Sequence, residues 1–334
     1  MFKSKITGAG HYLPEKVVTN KDLEKIMDTT DEWIRERSGI EERRFAEYGK
    51  DTTANMGTKA SRIAIERAGL TVDDIDFIIF ATLSPDYYFP GPGTTVQYEL
   101  GGKRTIAALD VRNQCSGFIY SLSVADQFIK TGMYKNILVI GSELHSSGLD
   151  LTTRGRAVSV LFGDGAGAVV LSRSEEEGKG ILSTHLHSQG EFAEALYVRG
   201  PGNFTPRKYY PKMDEDYINT TPQMDGQLVF KNAVVRFTEV IMEALKTNNY
   251  TPADLNMFVP HQANLRISQF VQRQLKLTDD RVYNNIQRLG NTTAATIPII
   301  ISEMWEKNMI KENDLHVLAA FGSGFTWASA LIKW

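Results

Sequence analysis

The sequence predicts an α/β protein built from layers of sheets and helices. Apolar runs of strand length recur at 77–83, 105–112, 136–143 and 167–172, with amphipathic segments between them. The clearest helix pattern, at 52–70, opens with threonines able to cap a helix and carries apolar residues at helical spacing. This alternation of strands and helices along the chain favours α/β layers.

Two pairs of segments are similar to each other in the same order and indicate two similar halves. LFGDGAGAVVL at 161–171 resembles AFGSGFTWASALI at 320–332, and 73–82 resembles 253–262. Each pair predicts a glycine-rich hairpin or a buried strand at equivalent places. The repeated order favours an internal duplication over chance similarity.

The boundary between the halves is expected between about 172 and 230, a region that begins with a charged turn at 173–180. The stretch 200–226 is rich in glycine, proline and polar residues, which is typical of a long connection. We therefore divide the chain into halves at 1–173 and 174–334. The aromatic and basic residues at 207–210 are equally compatible with a substrate entrance and with a solvated excursion.

Composition excludes several classes of protein. The 334 residues are 42% hydrophobic and 23% charged, and a net charge of -3 gives no electrostatic basis for binding nucleic acid. A single cysteine precludes an intramolecular disulfide and indicates a reducing compartment. No apolar leader and no run of roughly 20 apolar residues is present, so we expect a cytoplasmic protein without membrane contacts.

Cys115 lies where a strand-like run ends and a helix pattern begins. Apolar residues recur at helical spacing after it, and Gly132 marks the expected end of the helix. The free N–H groups and the macrodipole of a helix N-terminus favour the thiolate, which is the reactive form. A lone cysteine is more often a small buried apolar residue, so its position makes Cys115 a candidate nucleophile only.

Two polar residues occupy comparable positions. His261 follows an apolar strand-like run and precedes a helix pattern, so its ring is expected at the carboxyl end of a strand. Asn291 precedes a helix of small and apolar residues, where a helix N-cap is the alternative role. We interpret the other histidines as structural or surface residues, namely His11, His145, His185, His187 and His316.

The segment FGSGFTW at 321–327 is a glycine-rich turn between two strand-like runs. Such a turn lets backbone N–H groups approach a ligand, as an oxyanion hole requires, and a tight hairpin is the simpler alternative. The sequence has no cysteine pair, no H-E-x-x-H and no G-x-x-x-x-G-K-[ST], so we predict neither a metal site nor a phosphate loop. The FGDGAG run lacks the dinucleotide-binding spacing and continues as a strand pattern.

Together these motifs resemble the 3-oxoacyl-acyl-carrier-protein synthase III family nearly from end to end. The resemblance rests on Cys115 at a helix start, His261 in HQANLRI, Asn291 in GNTTAA and the terminal FGSGFTWASALI. Further matching segments are TTDEWIRERSGIEERR (29–44), FPGPG (89–93), LFGDGAGA (161–168) and MDGQLVFKNAV (224–234). The family implies a thiolase-like fold, in which two βαβαβαββ halves form a five-layer α-β-α-β-α sandwich, usually in a homodimer.

The resemblance also implies binding sites for two substrates. Trp33 and Arg37 match the positions that hold the adenine of coenzyme A, and either Arg154 or Arg156 matches a second arginine there. Coenzyme A enters as the thioester substrate, and no permanently bound cofactor is implied. The second substrate is malonyl-acyl-carrier protein.

Further matching positions concern the acyl pocket and the carrier protein. Phe89 resembles the residue that reaches into the partner's pocket across the dimer, and Phe321 matches a second pocket position. Lys231, Arg266 and Arg273 match the basic positions that dock the acidic carrier protein. They imply a local basic patch that the net charge does not reveal.

The implied reaction is a decarboxylative condensation that begins fatty acid synthesis. Cys115 attacks an acyl thioester and stores the acyl group, while the backbone N–H groups of Cys115 and Ser323 stabilise the oxyanion. His261 and Asn291 then hydrogen-bond the malonyl thioester carbonyl as carbon dioxide leaves. The resulting carbanion attacks the acyl group and gives a 3-oxoacyl thioester.

Departures from the family pattern leave the acyl donor open. Ser323 replaces the middle glycine of the usual triple glycine and adds a Cβ near the thioester, and the stretch 200–226 is longer than usual. A paralogue making a specialised lipid or aromatic metabolite from a longer or unusual acyl donor is therefore an alternative. A thioester hydrolase using Cys115 and His261 is a more remote one, and a non-catalytic subunit would be expected to lose the nucleophile.

Overall fold

The computed structural model describes residues 1–102, 105–200 and 220–334, so the residues at 207–210 lie outside it. The strands are β1 Lys3–Tyr12, β2 Lys16–Thr19, β3 Glu42–Phe45, β4 Phe77–Ala81, β5 Ala107–Val111, β6 Asn136–Glu143, β7 Gly165–Ser174, β8 Gly180–Ser188, β9 Leu196–Tyr197, β10 Gln223–Met224, β11 Met257–Pro260, β12 Leu315–Gly322 and β13 Thr326–Lys333. The α-helices among these residues are α1 Asn20–Glu24, α2 Asp31–Ser38, α3 Thr53–Arg67, α4 Pro92–Leu100, α5 Gly117–Lys130, α6 Arg156–Ser159, α7 Gly226–Thr247, α8 Leu265–Leu275, α9 Ile286–Leu289 and α10 Thr296–Glu306.

The first large sheet has the strand order β1-β7-β6-β4-β5. β4 runs parallel to β5 and β6, whereas β7 is antiparallel to β6 and β1. β4 and β6 are buried along their whole length, as expected for strands covered on both faces. β5 is an edge strand with no buried residue.

The second large sheet, β11-β12-β13-β8, repeats this arrangement. β11 runs parallel to β12, and β13 is antiparallel to β12 and β8, so the four strands correspond to β4, β6, β7 and β1. An isolated parallel bridge between Phe258 and Val282 stands where the first sheet has β5. The similarity between 73–82 and 253–262 is matched in space, because each contains a 3₁₀ turn followed by a buried strand.

Helices cover both faces of each sheet and complete five layers. α3 and α4 pack on the outer face of the first sheet, and α7 and α8 pack on the outer face of the second. α5 and α10 lie between the two sheets, in a core that combines buried residues of both halves. Gly10 allows close packing, since an added Cβ would lie 2.3 Å from the Ala60 carbonyl oxygen of α3. The α-β-α-β-α order agrees with the predicted fold class.

Local sequence signals explain the helices that matter for the site. Thr52 caps α3 by accepting the Asn55 N–H, and the Asn55 side chain accepts the Thr52 N–H in return. α5 ends at Lys130, and Gly132 follows with a φ of 80°, which agrees with its predicted role as a stop. In the described part of the chain no helix has the length and apolar character needed to cross a membrane.

Candidate active site

Cys115 lies in a 3₁₀ turn, Gln114–Ser116, that joins β5 to α5. Gln114 has a φ of 40°, so the chain turns sharply out of the strand and into the helix. The Ser116 hydroxyl is hydrogen-bonded to the Thr326 hydroxyl over 2.7 Å, which ties the turn to the start of β13. The nucleophile predicted at a helix start therefore sits within one short turn of α5, on a backbone held by the other half of the chain.

The hairpin between β12 and β13 packs directly against Cys115. A Cβ added at Gly322 would lie 2.6 Å from the Cys115 Cβ and 2.9 Å from its Sγ, so only glycine fits this position. The next residue, Ser323, directs its backbone N–H to the Cys115 sulfur. The Ser323 hydroxyl donates instead to the carbonyl oxygen of Leu196 in β9. The hairpin thus brings a backbone donor to the reactive atom and keeps the Ser323 hydroxyl in a bond to β9.

Burial, followed by the nearby charge of Glu143, raises the pKa of the Cys115 thiol to about 12. Hydrogen bonds from the backbone N–H groups of Cys115 and Ser323 lower this pKa but do not offset the burial. The expectation that the helix start favours the thiolate is therefore wrong here, because desolvation of the sulfur outweighs the N–H donors. The thiol is neutral at pH 7.

His261 follows the end of β11 and is held by its backbone N–H, which donates to the Ala319 carbonyl oxygen over 2.8 Å. Its side chain is 3% exposed. Both ring nitrogens are buried, and neither has a hydrogen-bond partner among the described residues. Burial lowers the pKa of His261 to about 3, so the imidazole is neutral at pH 7. Unpaired buried polar atoms are rare in folded proteins and require an explanation.

Asn291 is fixed by both its backbone and its side chain. Its N–H donates to the Leu161 carbonyl oxygen over 2.8 Å, and its carbonyl oxygen accepts the Gly163 N–H over 3.1 Å. The side-chain Oδ1 accepts the Thr293 N–H over 2.9 Å. This bond is a local cap, so Asn291 partly fills the alternative role of a helix N-cap. Nδ2 has no hydrogen-bond partner in the described ranges and is available for a ligand.

The structure brings Cys115, His261 and Asn291 to one junction between the two halves. Gly322, at the end of β12, touches Cys115, and β12 pairs with β11, whose end leads to His261. Ala294 follows Asn291 closely in sequence, and its Cβ lies 3.9 Å from a Cβ built on Gly117, the first residue of α5. The turns and strand ends that carry the three predicted residues are therefore neighbours at the junction of the two halves.

Two further polar residues, neither of them predicted as site residues, lie at and just after the end of β6. Glu143 is fully buried and accepts hydrogen bonds from the Ser84 hydroxyl over 2.6 Å and from the Ala294 N–H over 3.4 Å. Burial raises the pKa of Glu143 to about 7. His145, interpreted above as structural or surface, is hydrogen-bonded to the Thr293 hydroxyl over 2.8 Å. Their position at or just after the end of a mainly apolar strand was the available signal, since such strand ends supply site residues.

The predicted coenzyme A residues form a cluster around Trp33. The Arg37 guanidinium carbon lies 4.4 Å from the centre of the Trp33 ring, and that of Arg156 lies 5.5 Å away. The Arg156 guanidinium also donates hydrogen bonds to the backbone oxygen and to the carboxylate of Asp28. Arg154 instead donates to Asp150 over 3.0 Å. Of the two candidate arginines, Arg156 is therefore the one at the Trp33 ring.

The remaining predicted residues occupy two different environments. Phe89 is 81% exposed, whereas Phe321 is buried with its ring centre 4.8 Å from that of Phe325.

Lys231 on α7 and Arg266 and Arg273 on α8 are all exposed. α7 and α8 pack together, and Arg266 lies over the Phe230 ring at 5.6 Å. Within the described residues, none of these three cations forms an ion pair.

Known proteins similar to this chain are condensing enzymes. The family model for 3-oxoacyl-[acyl-carrier-protein] synthase III matches residues 109–190, and the model for its C-terminal region matches 245–334. A beta-ketoacyl-[acyl-carrier-protein] synthase III from Caldanaerobacter subterraneus subsp. tengcongensis is 45% identical over 329 residues, covering 98% of this chain and 97% of the relative. The crystal structure of the 3-oxoacyl-[acyl-carrier-protein] synthase III of Aquifex aeolicus VF5 matches with a TM-score of 0.90 and 41% identity, covering 99% of this chain and 100% of that one.

The fold and these similarities define the class of thiolase-fold acyltransferases that form carbon–carbon bonds. The chain belongs to the 3-oxoacyl-[acyl-carrier-protein] synthase III family, whose condensation initiates fatty acid synthesis. The priming beta-ketosynthase of the R1128 polyketide pathway has the same fold, with a TM-score of 0.88, but is only 30% identical over 99% of this chain and 96% of that one. The fatty acid assignment is thus favoured over the specialised-metabolite alternative.

Proposed function

We propose that the chain condenses an acyl group, taken from acyl-coenzyme A and held on Cys115, with malonyl-acyl-carrier protein. The observation that carries this proposal is the pair of unpartnered, buried ring nitrogens of His261 at the Cys115 junction. A buried polar atom without a partner is costly, so a site that keeps one is suited to a polar substrate atom. A malonyl thioester carbonyl is such an atom.

In the first half-reaction the Cys115 sulfur attacks the acyl carbonyl carbon of acyl-coenzyme A. The carbon–sulfur bond to coenzyme A breaks, and coenzyme A leaves as its thiol with the proton that Cys115 gives up. The N–H groups of Cys115 and Ser323, which already face the sulfur, stabilise the oxyanion. Because burial keeps the thiol protonated, we expect acyl transfer to require loss of that proton after the substrate has bound.

In the second half-reaction malonyl-acyl-carrier protein loses carbon dioxide, and its enolate attacks the acyl-Cys115 carbonyl. A ring nitrogen of His261 and Nδ2 of Asn291 stabilise the enolate oxygen. A neutral His261 must carry its proton on the nitrogen that faces the carbonyl, and its low pKa is consistent with this neutral form. The Cys115 thiolate is released, takes up a proton and is ready for another acyl group.

The proposed coenzyme A site is the cluster of Trp33, Arg37 and Arg156. An adenine ring can stack on an indole or a guanidinium plane, and arginine pairs well with phosphate. The contact between Arg156 and the Trp33 ring supports Arg156 over Arg154 as the second arginine. The unpaired, exposed cations Lys231, Arg266 and Arg273 on α7 and α8 are proposed to dock the acidic carrier protein.

A homodimer through the edge strand β5 is the proposed assembly. Leu109 in β5 is 37% exposed, and four aromatic residues in the 82–98 segment are more exposed still, namely Tyr87, Tyr88, Phe89 and Tyr98. An open strand edge beside exposed apolar side chains is suited to pairing with a second copy. We keep the proposed division at 173 and 174, which falls before the last residue of β7 and ahead of β8. The cytoplasm is the proposed location, because the enzyme needs a free thiol.

Intact-mass measurement tests the proposal and identifies the acyl donor. The protein is incubated with a panel of acetyl-, branched and medium-chain acyl-coenzyme A, and malonyl-acyl-carrier protein is then added. We expect a covalent adduct with at least one donor, followed by its loss and the appearance of 3-oxoacyl-carrier protein. Release of free acid without malonyl-acyl-carrier protein, faster than condensation, would instead support a hydrolase and contradict the proposal.

A further inference from the structure

The turn that follows Asn291 has an unfavourable backbone conformation. Thr293 has a φ of 49°, in the left-handed region that β-branched residues rarely adopt. Such a conformation persists only where surrounding contacts hold it, and it tends to occur at functional sites. Thr293 is almost completely buried, so those contacts are made inside the protein.

His145 supplies the side-chain contact that holds this turn. Its Nε2 is hydrogen-bonded to the Thr293 hydroxyl over 2.8 Å, and its backbone N–H donates to Asp164 over 2.7 Å. Its ring centre lies 4.8 Å from that of Phe162, which forms a parallel bridge with Asn291. His145 therefore contacts both Thr293, which follows Asn291 in the chain, and Phe162, which pairs with Asn291 in the bridge.

Thr293 in turn determines which way the Asn291 amide points. The Thr293 N–H can only donate, so the atom that faces it at 2.9 Å is Oδ1 of Asn291. Nδ2 must then point away from the turn. An amide that met the malonyl carbonyl with its oxygen would repel it, so catalysis requires this orientation.

We propose that His145, acting through Thr293, is a positioning residue that fixes the Asn291 amide for decarboxylation. This inference rests on the proposed role of Asn291. His145 is buried, and its contacts leave it no access to the substrate. It therefore acts only through the turn. Glu143, at the end of the strand that precedes His145, also stabilises the turn, because its carboxylate accepts a hydrogen bond from the Ala294 N–H.

The test separates the two half-reactions in matched variants. Thr293→Val keeps the β-branched shape and removes the hydroxyl, Thr293→Ser keeps the hydroxyl, and His145→Phe keeps a ring against Phe162. Acyl-Cys115 formation is followed by intact mass, and condensation is followed by single-turnover consumption of that adduct with malonyl-acyl-carrier protein. We expect Thr293→Val and His145→Phe to slow condensation about 10- to 100-fold, as small misplacements in active sites do, with acylation within about twofold of the unmodified protein. Thr293→Ser should stay close to the unmodified protein in both.

Equal losses of acylation and condensation in Thr293→Val and His145→Phe, including losses through misfolding, would overturn the inference, because a merely structural role affects both steps. Unchanged condensation in both variants would overturn it as well. Asn291→Ala, measured alongside, distinguishes this failure from that of the proposed function. If Asn291→Ala condenses normally, the proposed role of Asn291 is wrong; if only that variant is impaired, the role of His145 is wrong.

Discussion

Two short turns meet at the active site, one from each half, and they are built alike but carry different chemistry. Gln114–Ser116 precedes α5 and Thr293–Ala295 precedes α10, and the first residue of each is left-handed, with φ values of 40° and 49°. The second position is Cys115 in one turn and Ala294 in the other. The repeated topology of the sheets accounts for the repeated turn.

The surroundings of the two turns explain their different roles. Backbone N–H donors and Gly322, which has no side chain, surround the buried Cys115 thiol. The Thr293 turn is held by the side chains of His145 and Glu143, which bond to its hydroxyl and to the Ala294 N–H. In the function that we propose, one turn presents a nucleophile and the other holds the Asn291 amide in a fixed orientation.

His261→Ala is expected to give the largest separation between the two half-reactions. Removing a neutral hydrogen-bond donor from the proposed enolate site should slow condensation by about 10³-fold, as removal of an oxyanion donor does. The acyl-Cys115 adduct should still form and persist, as seen by intact mass. His187→Ala, at a histidine of β8 outside this junction, serves as the control. A parallel loss of adduct formation would show that His261 acts in acylation as well.

Gly322→Ala should damage the Cys115 turn and leave the Thr293 turn intact. The added Cβ would meet Cys115 at 2.6 Å, so either the hairpin or the nucleophile must move. We expect acylation to slow by about 100-fold, measured as the rate of adduct formation. Gly190→Ala is the matched control, because no atom lies within 4 Å of a Cβ added there. Acylation at the unmodified rate in Gly322→Ala would contradict the packing described for the site.

Glu143→Gln tests the electrostatic difference between the turns. The Glu143 charge raises the pKa of Cys115, so removing this charge should lower the pKa of Cys115. Alkylation of Cys115 by iodoacetamide, measured against pH, should then begin at lower pH than in the unmodified protein. Glu143→Asp keeps the charge and should resemble the unmodified protein. An unchanged or upward-shifted profile in Glu143→Gln would mean that the carboxylate does not act on the thiol.

Ser323→Gly should have the smallest effect. The substitution keeps the backbone N–H that faces Cys115 and removes only the hydroxyl bond to Leu196. Loss of this one hydrogen bond to β9 is expected to slow acylation by about two- to tenfold, measured by adduct formation. Ser323→Ala also lacks the hydroxyl and should behave similarly. A loss much larger than tenfold would show that the hydroxyl acts on the substrate directly.

Much of the fold could be predicted because strands and helices leave local signals. The helix at 52–70 and the strand at 136–143 appear within a few residues of their predicted bounds, and the similarity of 73–82 to 253–262 anticipated the repeated sheet. Cys115, His261 and Asn291 each follow a strand-like run or precede a helix, which placed them as candidates. Their convergence depends on contacts between halves, which no local pattern encodes.

The remaining features depend on burial and on distant neighbours. The raised pKa of Cys115 results from desolvation by surrounding elements, whereas the sequence showed only the helix start. His145 is far from Thr293 in sequence, and its position after an apolar strand is shared by many structural residues. The arginine at Trp33 required side-chain geometry, because Arg154 and Arg156 are both compatible with the pattern.

We infer that Cys115 carries the acyl group and that the turn after Asn291 acts only in the condensation of that group. The most direct test is intact mass of Cys115→Ala and Asn291→Ala after acyl-coenzyme A, and again after malonyl-acyl-carrier protein. We expect no adduct in Cys115→Ala, and in Asn291→Ala an adduct that malonyl-acyl-carrier protein fails to discharge. An adduct in Cys115→Ala, or rapid discharge in Asn291→Ala, would contradict this inference.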